Sequence, residues 1–193
     1  METTYIEIDS PDKHLSDVLE EIPSNVILYK TLTGIGATYS EIKAQRHSII
    51  IEPNVPVIIG KCNSAKHKND NLLGVYEGVT TDRIIKYLGA SRGKYYKILT
   101  TPESFTKVKD AFLIFNGKIY NTCFLLIDEA HKTIKDVDYR SDIVLPMNDF
   151  FKFKGKALVS ATPLKFSDPR FEENGFSIIK IEPTYDLSLI HIS

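Results

Sequence analysis

The sequence predicts an α/β domain in three layers, with a mainly parallel β-sheet carrying helices on both faces. Three observations predict it. Short apolar runs, most of them rich in β-branched residues, recur at 26–30, 48–52, 96–100, 124–127, 156–160 and 176–181. Stretches with capping residues or helical spacing separate many of them, which is the pattern of βαβ units. Several runs also end in glycine, carboxylate or hydroxyl residues, at the strand ends where doubly wound sheets bind their ligands.

Residues 1–25 read as an N-terminal lead-in, with Ser16 to Ile22 spaced as a short helix. Val26-Ile27-Leu28-Tyr29-Lys30 is a strand running into the glycine loop, and Thr38 to Arg46 suits the helix behind that loop. Ser48 to Glu52 is a second buried strand, stopped by Pro53, and Asn71 to Tyr76 is a weaker one. Thr80 to Leu88 is a capped helix ending near Gly89. The strand Tyr96 to Thr100 leads to Thr101-Pro102-Glu103, with a helix from Ser104 to Phe112. Phe124 to Ile127, Lys156 to Ser160 and Phe176 to Ile181 complete the strands, and Val137 to Lys154 holds a helix and a loop. The cluster Lys61, Lys66, His67 and Lys68 reads as a solvated loop.

At 193 residues the chain suits one well-buried domain. A net charge of -1 argues against a strongly basic nucleic-acid arm and leaves room for local basic patches. No apolar stretch reaches membrane-spanning length, and the acidic start Met1-Glu2 is not a signal peptide, so no membrane partner is expected. Cys62 and Cys123 form neither a disulfide framework nor a zinc set, which suits reduced thiols and a cytoplasmic location.

Five segments carry chemistry. Thr33-Gly34-Ile35-Gly36-Ala37-Thr38 follows a strand and precedes a helix. Its glycines let backbone amides turn toward phosphate oxygens, and Thr38 sits where such a loop places a magnesium-binding hydroxyl. In Ile127-Asp128-Glu129-Ala130-His131, one carboxylate can hold magnesium and the next can orient an attacking water. Thr101-Pro102-Glu103 and Glu52-Pro53-Asn54 offer hydroxyls and freed amides after strands, and Ser160-Ala161-Thr162-Pro163 offers two hydroxyls at another strand end.

With the glycine loop, Thr101-Pro102-Glu103, Asp128-Glu129-Ala130-His131 and Ser160-Ala161-Thr162 following one another along the chain, the stretch from about Val26 to Ile181 resembles the first RecA-like domain of a superfamily-two helicase of the DEAD/DEAH-box kind, a P-loop NTPase fold. The resemblance implies residues 26–186 as the helicase ATP-binding domain, ATP and Mg²⁺ as cofactors, and DNA or RNA as partner. It implies Asp128 and Thr38 as magnesium ligands, Glu129 as the activator of the hydrolytic water, and His131 coupling nucleotide state to Ser160 and Thr162. Pro53, Asn54, Thr101, Pro102 and Glu103 would contact the nucleic-acid backbone.

Three parts of the family pattern are missing. Ala37 stands where the family has a phosphate-binding lysine, which leaves three expectations: Lys30 swings in from the other side of the loop, a lysine from elsewhere substitutes, or hydrolysis is lost. The upstream adenine-reading glutamine is absent, because Gln45 is the chain's single glutamine. Within these 193 residues a second RecA-like domain with its arginine fingers is not expected. The first expectation is therefore an ATP-dependent helicase or translocase, represented by its first motor domain. The alternative is a catalytically inactive nucleic-acid-binding or scaffolding protein that keeps the motor fold. A metal-dependent nuclease lacks further acids at convincing spacing. Residues 187–193, Leu187 to Ser193, look like the translation of a transposon adapter end, and the expectation is a non-native read-through tail.

Overall fold

Side chains of the central strands alternate between two cores. Ile27, Ile49, Ile51, Leu125, Ile127 and Leu158 face one side, whereas Val26, Leu28, Ile50, Leu126, Ala157 and Val159 face the other. A strand covered on both faces needs apolar residues at every position, which is why these segments read as continuous apolar runs rather than alternating ones.

The computed structural model describes residues 1–31, 34–135, 147–164 and 168–185, with only the helical backbone for Ile134 and Lys135. Among them, eight strands form one sheet: β1 (Thr3–Ile8), β2 (Val26–Lys30), β3 (His47–Ile51), β4 (Leu72–Val75), β5 (Lys97–Thr100), β6 (Cys123–Ile127), β7 (Gly155–Ser160) and β8 (Ser177–Pro183). The order is β1-β8-β2-β7-β6-β3-β5-β4, and every pairing is parallel. All strands therefore end on the same edge of the sheet.

Helices α1 (Leu15–Val18), α2 (Ala37–Lys43) and α3 (Val55–Asn63) cover one face, sharing a core with Ile8, Leu28, Leu99 and Ile181. Helices α4 (Thr81–Ala90), α5 (Phe105–Phe115), α6 (Ile119–Thr122), α8 (Met147–Lys152) and α9 (Arg170–Glu173) cover the other, where Phe105, Phe112, Phe150 and Phe171 pack. Helix α7 (Ala130–Lys135) leaves the end of β6. The result is the three-layer α/β sandwich that the sequence pattern predicts, with a sheet wholly rather than mainly parallel.

Two elements depart from the sequence reading. The lead-in contributes the edge strand β1, paired to β8 from Thr3↔Ile178 to Ile8↔Pro183; it is largely exposed and thus carries no long apolar run. Helix α3 occupies Val55 to Asn63, where β-branched residues and Gly60 hide the helical pattern; Pro56 sits in the first turn, where a missing N–H costs nothing. Ser104 does precede α5, but its hydroxyl makes no capping bond; the Thr101 hydroxyl accepts from the Ser104 amide at 3.3 Å instead. Thr33 and residues 186–193 lie outside the described residues, as does most of the 137–154 segment before Met147. No helix among the described residues is long and apolar enough to cross a membrane.

Candidate active site

Strand β2 and strand β6 are separated in the sheet by β7 alone, and their C-terminal ends deliver the glycine loop and the acids to one rim. The loop turns there because Gly34 and Gly36 adopt φ of 78° and 86°. That left-handed conformation costs a residue with a Cβ about 1–2 kcal/mol. Gly36 is the N-cap of α2, and Thr38 in the first turn is buried and faces the strand ends.

The acids arrive on a strained turn. Glu129 has φ of 50°, which for a non-glycine residue costs about 1–3 kcal/mol and concentrates at functional sites. Its amide donates to Asp128 Oδ1 at 2.8 Å, fixing the first carboxylate by the backbone of the second.

Loop and acids meet directly. Thr38 Oγ1 donates to Asp128 Oδ2 and also contacts Glu52 Oε1 at 3.0 Å. The Lys30 ammonium sits 2.9 Å from Asp128 Oδ1 and 2.7 Å from Glu129 Oε1, with its side chain only 8% exposed. Lys61, from α3, bonds Glu52 Oε1. Three carboxylates thus share two buried or half-buried ammonium groups.

The charges shape the protonation equilibria. Burial alone would raise the Asp128 carboxyl, but the neighbouring Lys30 ammonium and hydrogen bonds from Thr38 and Lys30 hold it below the usual carboxylate range. Burial would lower Lys30, yet the Asp128 and Glu129 carboxylates keep it above the ordinary lysine value. Glu52 is raised, first by burial and then by the charge of Asp128.

These groups line a cavity of about 380 Å³, together with Ile35, Ala37, Tyr39, Asn54, Val57 and Lys132. Such a volume suits a small ligand. A hydroxyl and a carboxylate oxygen in contact form a hard-donor pair that fits magnesium, which takes one or two protein oxygens and fills its shell with water and phosphate. No set of three or more His, Cys, Asp or Glu residues among the described residues is placed to hold a metal by protein ligands alone.

The remaining sequence-predicted residues fall on the same rim. His131 Nδ1 lies 3.2 Å from Ser160 Oγ at the end of β7, and its Nε2 lies 3.4 Å from Glu129 Oε2. The histidine therefore bridges the acids and the neighbouring strand. Thr162 is exposed and reaches Ser160 through its backbone, the carbonyl accepting from Ser160 Oγ at 2.7 Å. Thr101, Pro102 and Glu103 follow β5, beside Pro53 and Asn54 after β3; Thr101 is buried, Glu103 and Asn54 are exposed.

Sequence reasoning missed Glu52, Lys61, Tyr39, Val57 and Lys132 as cavity-lining residues. Lys61 depended on recognising α3, for which Asn54 ahead of Val55-Pro56 was the available signal. Glu52 was legible as the carboxylate ending a strand, as Asp128 is.

Three solved structures share this fold. A hypothetical ATP-dependent RNA helicase from Sulfolobus tokodaii aligns with a TM-score of 0.54 and 17% identity over 81% of this chain and 48% of that one. The fold is that of a RecA-like helicase domain. The helicase domain of Hef from Pyrococcus furiosus aligns with a TM-score of 0.55 and 13% identity, over 86% of this chain and 36% of that one. Mss116p bound to ssRNA and AMP-PNP gives 0.55 and 13%, over 94% and 48%. The chain spans about half the length of these proteins or less. No family model and no curated protein matches its sequence.

Proposed function

We propose that this chain is the first motor domain of an ATP-dependent helicase or translocase acting on DNA or RNA, with a second RecA-like domain completing the site. One observation carries the reading: the glycine-loop hydroxyl of Thr38 and the strand-end carboxylate of Asp128 are hydrogen-bonded at one mouth of a parallel sheet. Phosphate loops and acidic strand ends need that convergence, because the same ion has to touch both. The fold shared with helicase domains, one of them bound to ssRNA and AMP-PNP, supports it.

In this reading the backbone amides of Gly34 to Thr38 cradle the phosphates of ATP. Thr38 and Asp128 would hold Mg²⁺, whose chemistry is to neutralise the phosphate oxygens and the charge that develops on them. Glu129 orients the attacking water and takes its proton; the strained turn aims its carboxylate at the cavity rather than along the sheet. Lys30 pairs with both acids and holds them in place. His131 senses the Glu129 side and passes its position to Ser160, and through it to Thr162, on the rim where a second RecA-like domain would dock. Pro53, Asn54, Thr101, Pro102 and Glu103 lie beside it to contact the nucleic-acid backbone.

A second reading, a catalytically inactive nucleic-acid-binding or scaffolding protein, rests on Ala37, which leaves the loop without the lysine that reaches the β- and γ-phosphates. Glu129→Gln separates the two. With a second RecA-like domain present, nucleic-acid-stimulated ATPase should fall about a hundred- to ten-thousand-fold in Glu129→Gln. Equal and negligible turnover of wild type and variant would leave the scaffold reading standing and sink the motor.

A further inference from the structure

Helix α3 brings a further cation, Lys61, into the cavity. Lys61 and Thr38 share a single acceptor, Glu52 Oε1, so the ammonium lies one carboxylate oxygen away from the loop hydroxyl. Three lysines line this cavity, and their surroundings differ. Lys30 is held on both Asp128 and Glu129 with a side chain 8% exposed. Lys132 stands at the rim, half exposed, 3.7 Å from Glu129. Lys61 contacts one carboxylate and keeps a quarter of its side chain open.

We infer that Lys61 supplies the phosphate-binding ammonium that the glycine loop lacks at Ala37. The inference rests on the nucleotide reading above and names the residue that completes it. A lysine is a compact charge on a flexible four-carbon stem, so it can leave one oxygen for a neighbouring one by side-chain rotation alone. Moving from Glu52 to the outer phosphates leaves Glu52 still bonded to Thr38, whereas moving Lys30 would strip the cation from two acids at once. The lysine thus reaches the phosphates from α3 rather than from the first turn of α2, where Ala37 is packed among Ile35, Ile42 and other core residues.

The test is an equilibrium titration of the full 193-residue chain with ATP and, separately, with AMP, both with magnesium. Lys61→Ala should weaken ATP binding about ten- to a hundred-fold, the range of a lost charge-assisted contact, and change AMP binding less than twofold. Lys61→Arg should recover most of the ATP affinity. The double variant Glu52→Gln/Lys61→Met removes the pair without stranding a buried charge; it should show the same ATP-selective loss even where the single variant folds poorly. If wild type prefers ATP over AMP and the Lys61 variants keep that preference, or lose both ligands equally, the role of Lys61 falls and the nucleotide site stands. If wild type shows no preference for ATP over AMP, both fall together.

Discussion

Two ionic clusters sit at opposite ends of the same strands, and they are built differently. At the N-terminal end, Lys97 donates to the carbonyl oxygens of Glu41 and Ala44 and to Ser48 Oγ, at 2.7, 2.8 and 3.0 Å. Arg46 clasps Glu41 with two nitrogens and lies 3.5 Å over the Phe124 ring. Each charge there meets a fixed partner. At the C-terminal end, Lys30 and Lys61 serve Asp128, Glu129 and Glu52 around an open cavity. Buried charge that is fully satisfied locks a fold, whereas buried charge facing a cavity is matched to something that arrives.

The largest expected break is at the cavity. Lys30→Met leaves Asp128 and Glu129 facing one another without their cation, and should cost about 3–5 kcal/mol in denaturant unfolding. Adding Asp128→Asn should recover much of that loss. An unaltered midpoint for Lys30→Met would show that the acids do not depend on it.

The N-terminal cluster should declare itself through pH. Burial pulls the Lys97 ammonium from an ordinary 10.5 down to about 8. Its folded value lies below its unfolded one, so the unfolded chain holds more protons between these limits. Stability should therefore rise as pH goes from about 8 to 10.5, by roughly 2–3 kcal/mol relative to Lys97→Met. Parallel pH profiles for wild type and Lys97→Met would remove Lys97 as the source.

The smallest effect concerns the glycine loop at the cavity. Gly36→Ala forces a side chain into φ of 86°, with Tyr39 Cβ at 3.8 Å, and should cost about 1–2 kcal/mol. It should also weaken ATP binding, because the amides that follow shift with the turn. A calorimetric melting point within error of wild type would show that the loop relaxes without strain.

Much of the fold was legible because a strand buried on both faces shows an apolar run; β2, β3, β5, β6 and β7 do so within a residue of the reading, and the half-buried β8, interrupted by Lys180, within two. Strand β1 lacks the signal because an exposed edge needs none, and α3 lacks it because Val55, Val57, Ile58 and Ile59 favour extended chain by propensity. The site was legible where strand ends carry unusual residues: Gly34, Gly36, Asp128, Glu129 and His131 stand out locally.

The sequence alone determined the sheet class, the strand that carries the acids and the loop that carries Thr38, since each depends on residues close together in the chain. Only the tertiary structure decided which cations serve them. Lys30 reaches Asp128 across 98 positions, and Lys61 enters the cavity because α3 packs Ile58 under the sheet. Ion pairing of that kind depends on distances set by packing, and no spacing along the chain encodes it.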